Sequence, residues 1–123
     1  MPVSGLPPYD DSNVFARILR GEIPSTKVYE DEWAFAFRDI NPQAPVHVLF
    51  VPKRPFATLN DLTEADALTV GKLVLAASCW AKAQGFADNG YRVVMNCNRD
   101  GGQTVFHIHL HLLAGRALQW PPG

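Results

Sequence analysis

Three of the chain's four histidines, His107, His109 and His111, stand at alternate positions in HIHLHLLAG, separated by single apolar residues. In an extended strand alternate residues share a face. The three imidazoles should therefore project together, while Ile108, Leu110 and Leu112 point to the opposite, core side. Imidazole titrates near neutrality, so one neutral ring can attack an electrophile while a neighbour supplies or takes a proton. Crowding the rings disfavours charging all of them and keeps an attacking nitrogen free. Metal ligation is the competing chemistry. At about 3.3 Å per residue, neighbouring histidines lie ~7 Å apart and the outer pair ~13 Å apart. With Zn–N bonds of about 2.0–2.1 Å, an adjacent pair can share an ion but all three cannot. His47 is the one other histidine, and no obvious carboxylate stands at ligand spacing from the triplet. The row is expected to work without a metal or another cofactor.

The loop ahead of the row adds to this. DGGQT offers two glycines whose backbone N–H groups can turn toward an anion, with Gln103 and Thr104 as further donors. A Gly-Gly turn alone is common in hairpins. Directly before a histidine row, it points to phosphate or another oxyanion held near the reacting nitrogen.

These side chains need a scaffold. The 123 residues suffice for one domain, and 47 % hydrophobic with 19 % charged residues is an ordinary globular composition. A net charge of −1 gives no field for a nucleic-acid polymer or an anionic membrane. No apolar run approaches the ~20 residues that span a bilayer. MPVSGLPPYDDSN lacks the basic start and hydrophobic centre of a secretory signal. Cys79 and Cys97 are too few for a disulfide framework, and a cytoplasmic protein with two reduced thiols is expected.

Residues 1–12 read as a flexible N-terminal arm and 13–123 as a single domain. Asp11 or Ser12 is expected to cap a short helix with Val14, Phe15, Ile18 and Leu19 on its apolar face, ended by Gly21 and Pro24. KVYE and WAFAFRD read as a hairpin turning at Glu30 to Glu32, and HVLFVPK as a third strand. Thr63 and Asp66 form a capping-box pattern at the start of a long helix from about Glu64 to Gln84. Leu68, Val70, Leu73, Val74 and Ala77 should be its buried face, with Gly85 beyond its end. YRVVMNC and TVFHIHLHLL read as the last two strands, joined by the tight loop NRDGGQ. The sum is an antiparallel α+β domain.

HIHLHLL satisfies every position of His-φ-His-φ-His-φ-φ, where φ is apolar, and here the chain resembles the histidine triad (HIT) family. FRDINPQAPVHVLFVPK, YRVVMN, DGGQTVFHIHLHLLAGR and the terminal WPPG are similar to its nucleotide-binding branch, the purine nucleoside phosphoramidases, over about residues 13 to 123. The resemblance implies a HIT fold, an antiparallel sheet of about five strands with two helices, that dimerises. It implies that His109 is the nucleophile, forming a nucleotidyl-histidine at the α-phosphorus, with the His107 carbonyl holding its tautomer. His111 would contact phosphate and assist the leaving group, and His47 would complete the site beside His107. Asn96, Gln103 and Thr104 would contact phosphate and leaving group, Asp39 the ribose, and Phe15, Ile18, Phe37 and Ile40 the base. Read as residues alone, Phe15, Ile18 and Phe37 fit core packing better than a base pocket, and Asp39 fits a turn opener. Trp120, in a tail that would otherwise read as loose, would pack near the partner subunit's site in a homodimer.

The implied activity is hydrolysis of the P–N bond of AMP or GMP phosphoramidates, with aminoacyl-adenylates as a related substrate. The alternatives are a nucleotide-binding regulatory module with vestigial hydrolysis and a dinucleoside polyphosphate hydrolase. Partners are purine nucleotides, with neither nucleic-acid polymer nor membrane. The chain departs from the family pattern at Thr104, often serine, at Ala114, often glycine, and across Cys97 to Arg99.

Overall fold

The computed structural model describes residues 8–123. Five strands, β1 (Lys27–Glu30), β2 (Ala34–Arg38), β3 (Val46–Pro52), β4 (Arg92–Val94) and β5 (Leu110–Ala114), form one antiparallel sheet in the order β1-β2-β3-β5-β4. The helices are α1 (Val14–Leu19), α2 (Ala67–Ala83) and the one-turn α3 (Asn98–Gly101). This is the α+β architecture expected from the order helix, three strands, helix, two strands.

Alternation divides the sheet into two faces. On one, Ala34, Ala36, Val48, Phe50, Leu110, Leu112 and Ala114 pack against Leu73, Ala76, Ala77, Trp80 and Ala81 of α2. Full burial of each large apolar side chain in that layer, such as Phe50 or Leu73, contributes about 1.5–3 kcal/mol. On the other face Phe37, Leu49 and Val51 pack against Phe15 of α1. Paired positions in neighbouring strands share a face. The row Phe37↔Leu49↔His111 therefore carries the helix α1 side of the sheet directly to the triad.

Several local expectations are corrected. Asn13, not Asp11 or Ser12, caps α1: its Oδ1 accepts the Ala16 N–H at 2.9 Å, while Ser12 donates to Asp10. The Thr63–Asp66 capping box is present, but its first turn is a 3-10 helix over Glu64–Asp66, and the α-helix proper begins at Ala67. Leu68 and Val74 are 60 % and 42 % exposed. The face toward the sheet is built from Thr69, Leu73, Ala76, Ala77, Trp80 and Ala81, because short alanines let the helix lie close over Ala34 and Ala36. The expected last strand is shorter at its start: β5 begins at Leu110, so His107 and His109 precede the ladder. The NRDGGQ loop contains the helical turn α3, closed by Gly102 at φ 83°. Of the expected N-terminal arm, residues 1–7 lie outside the described residues, and Tyr9 is anchored by hydrogen bonds to His107 and Asn13.

Candidate active site

His109 is the centre of the site. Its Nδ1 lies 2.8 Å from the carbonyl oxygen of His107. A carbonyl can only accept, so in the neutral ring Nδ1 carries the proton and Nε2 keeps a free lone pair. The ring packs edge-on to Phe15 at 4.8 Å between centroids, and Phe15 in turn meets Phe37 at 5.4 Å. Burial pulls the His109 pKa down, against the bond to the His107 carbonyl and the charge of Asp39. The ring is therefore neutral at physiological pH.

The proton on His111 follows from a second chain. The Gln43 N–H donates to His47 Nδ1 at 3.0 Å, so the neutral His47 carries its proton on Nε2. That Nε2–H faces His111 Nδ1 at 2.9 Å and Asp39 Oδ2 at 3.4 Å. His111 Nδ1 is then an acceptor, which leaves the His111 proton on Nε2. The His109 and His111 rings are 5.0 Å apart. Two neighbouring imidazoles thus have opposite tautomers: His109 has a bare Nε2 and His111 a protonated one. Burial, with repulsion from His109 and His47, brings His111 down to about 4, and burial lowers His47 against the pull of Asp39. His47 stands beside His111, not beside His107 as expected. Its place in β3, opposite Leu113 of β5, sets it diagonal to His111 and away from the start of the triad.

His107 does not enter the cavity. It is 1 % exposed, with Nε2 on the Pro52 carbonyl at 2.8 Å and Nδ1 on the Tyr9 hydroxyl at 2.6 Å. Burial brings it down to about 4. Among the described residues no buried side-chain nitrogen or oxygen lacks a hydrogen-bond partner.

His109 and His111 open into a cavity of about 320 Å³ lined also by Phe15, Ile18, Phe37, Asp39, Ile40 and Thr104. Every residue expected at the base and ribose lies on it. Ile40 stands fully exposed at the rim. Sequence reasoning missed Leu49, Val105 and the Ile23–Ser25 segment on the same wall. Leu49 was legible as a strand residue, but only the register pairing it with His111 reveals its place. A larger, more open groove of about 620 Å³ beside it is lined by Lys27, Glu30 and Lys53 and contains no histidine.

Two expected phosphate contacts are placed elsewhere. Gln103 is buried, and its side chain is committed to the loop. Its Oε1 accepts the Asn98 N–H at 2.9 Å, and its Nε2 donates to Ala57 and Val105 carbonyls at 2.8 and 3.0 Å. With both amide protons used, it holds the loop in shape and has no donor left for an anion. Asn96 is not on the cavity wall and lies against the turn at Gly101. Trp120 is 80 % exposed, and the neighbouring Gln119 carbonyl accepts from Arg92 at 2.9 Å.

No carboxylate stands at ligand spacing from the triplet in the sequence, but the fold supplies a distant one. The chain after β2 brings Asp39 to His47 and His111, and the candidate ligand atoms of these three lie within 4.8 Å of one another. They are the residues able to approach one cation. His47 Nε2 and His111 Nδ1 are presently engaged with each other.

The antiparallel sheet thus presents a neutral, bare-nitrogen imidazole beside a proton-bearing one over an aromatic cavity, an arrangement chemically able to pair a nucleophile with a proton donor. The HIT domain profile matches residues 20–118, and the chain belongs to the HIT domain family. It is 46 % identical to the purine nucleoside phosphoramidase of Escherichia coli K12 over 108 residues, covering 88 % of this chain and 91 % of that one. It is 50 % identical over 117 residues to a 14 kDa zinc-binding protein of Zea mays, covering 93 % and 90 %. A HIT family hydrolase from Legionella pneumophila superposes with a TM-score of 0.88 at 50 % identity, over 90 % of this chain and 99 % of that one. Among the described residues no helix is long and apolar enough to cross a membrane.

Proposed function

We propose that the protein hydrolyses the P–N bond of purine nucleoside phosphoramidates, AMP or GMP derivatives, through a nucleotidyl-histidine on His109. The observation that carries this reading is the His109 Nδ1 to His107 carbonyl bond, which frees Nε2 toward a cavity with an aromatic wall. Phe15 and Phe37 suit a purine, Asp39 the ribose hydroxyls, and Thr104 a phosphoryl oxygen. The 46 % identity to a purine nucleoside phosphoramidase supports the same substrate class.

In this mechanism His109 Nε2 attacks the α-phosphorus and the P–N bond breaks, with the amine leaving with a proton. The leaving nitrogen takes that proton from His111 Nε2–H. Water then attacks phosphorus and returns a proton to His111 Nε2, the P–N(His109) bond breaks, and the nucleoside monophosphate is released. His109 is regenerated.

The test is an assay without added metal, following AMP release from adenosine 5′-phosphoramidate by the wild type and His109→Ala. Release by the wild type alone is expected. Full activity in His109→Ala would sink the mechanism, and AMP binding without turnover in either protein would favour the regulatory module instead.

We propose further that the protein works as a homodimer. Leu68, Leu75 and Val93 are 60 %, 58 % and 43 % exposed on α2 and the edge strand β4, and the exposed Trp120 follows the contact to Arg92 of β4. Sedimentation equilibrium at micromolar concentration reads this directly, and a monomer would overturn it.

A further inference from the structure

Tyr9 has no part in the chemistry described above, yet it touches the triad. Its hydroxyl is 2.6 Å from His107 Nδ1, and its ring meets the His107 ring edge-on at 5.9 Å. The direction of each proton is fixed from both ends. Asn13 Oδ1 accepts the Ala16 N–H, so its amide nitrogen faces the other way and donates to the Tyr9 oxygen at 2.8 Å and the Asp10 carbonyl at 2.9 Å. At the far end the Pro52 carbonyl requires a proton on His107 Nε2. Neutral His107 therefore has a bare Nδ1, and the Tyr9 hydroxyl is left to donate into it. Asn13 and His107 are 2 % and 1 % exposed, and Tyr9 between them is half-buried.

We propose that Tyr9 is a positioning residue for the triad: its hydroxyl, oriented by Asn13, holds His107 neutral and fixed so that the His107 carbonyl orients His109. This rests on the reading of His109 as the nucleophile. Protonating His107 would put a second proton on Nδ1, facing an oxygen that already accepts from Asn13 and whose own hydrogen would then lose its partner. A charged His107 would also sit next to His109 while that ring acquires positive character in the nucleotidyl intermediate. Tyr9 opposes both. The titratable groups facing His107 are Tyr9, from the segment before α1, and His109, while β3 offers it the Pro52 carbonyl alone. Asp11, Arg20 and Asp10 are the charges that act on the Tyr9 hydroxyl.

The experiment compares wild type, Tyr9→Phe and Asn13→Ser by imidazole ¹⁵N NMR against pH and by the pH dependence of kcat on adenosine 5′-phosphoramidate. Serine retains a helix cap while removing the amide donor. In Tyr9→Phe, His107 is expected to titrate about one unit higher, because the bond favouring its neutral form is gone. The acid limb of kcat should move the same way, with kcat down several-fold and KM within about twofold, since Tyr9 is off the cavity wall. Asn13→Ser should shift both readouts in the same direction by less. A Tyr9→Phe protein of lower Tm with His107 titration and acid limb unmoved would overturn the proposal and leave Tyr9 a packing residue. The NMR titration needs no turnover, so it judges Tyr9 even if the His109→Ala assay defeats the hydrolase reading.

Discussion

At the scale of single residues, the triad's spacing predicted a shared face, but the proposed chemistry depends on which nitrogen of each ring holds the proton. That is set by acceptors and donors from other parts of the chain: the His107 carbonyl for His109, and the Gln43 N–H for His47. No spacing rule in HIHLHLL carries this information. Tyr9 was equally invisible, being one aromatic in a proline-rich stretch whose partner is 98 positions away. Gln103 shows the converse error, since a donor close in sequence to the site had spent its protons on the loop. His47 orients His111 without lining the cavity, so His47→Ala should lower kcat by roughly 10–100-fold, less than the 10²–10⁴ typical of removing an acid–base group itself. His47→Gln, which can still donate a proton toward His111 Nδ1, should recover part of the loss. Steady-state kinetics on both variants checks this; equal activity of His47→Ala and wild type would show that the His111 tautomer needs no holding.

At the scale of elements, strand signals were the strongest: β2 lies inside the alternating stretch WAFAFRD, and β3 begins one residue before the apolar run HVLFVPK. The capping box also located the start of α2 to within a 3-10 turn. What failed was part of the face of α2: Leu73 and Ala77 are buried as expected, but Leu68 and Val74 point outward while Ala76 and Ala81 pack inward with Trp80. Hydrophobic periodicity weighs side-chain size, whereas close helix-on-sheet packing selects small ones, so the two criteria diverge here. Gly115 shows how tightly the ends of elements are fitted. It lies just past β5 at φ +97°, and a Cβ there would come 2.9 Å from Pro45 Cβ, in the segment leading into β3. Gly115→Ala combines a left-handed backbone with a clash and should cost on the order of 1–3 kcal/mol. Gly21, at φ +78° with nothing within 4 Å of such a Cβ, provides the comparison and should cost less. Urea unfolding of the two variants measures the difference, and equal midpoints would mean that Pro45 yields freely.

For the whole molecule, burying four imidazoles around one site makes stability depend on pH in a particular window. His107 and His111 are down to about 4, and His109 and His47 are lowered too, all chiefly by burial. An unfolded histidine takes up its proton near pH 6.5. Between that value and about 4 the unfolded chain therefore binds more protons than the folded one, and stability rises with pH across the interval. The full stability is present above about pH 6.5 and is lost as acid is added, with His107 alone costing up to about 1.4 kcal/mol per pH unit inside the window. Carboxylates act lower down: Glu30, held below its ordinary 4.5 by Lys53 and Lys27, gives up its contribution only as pH falls beneath that value. Acid sensitivity starting between pH 6.5 and 5 is therefore a signature of the histidines. Urea midpoints measured from pH 7.5 to 4.5 should be flat down to about 6.5 and then fall steeply. A midpoint unchanged down to pH 5 would mean that the rings take up protons in place, and the opposite tautomers of His109 and His111 would then not survive at that pH.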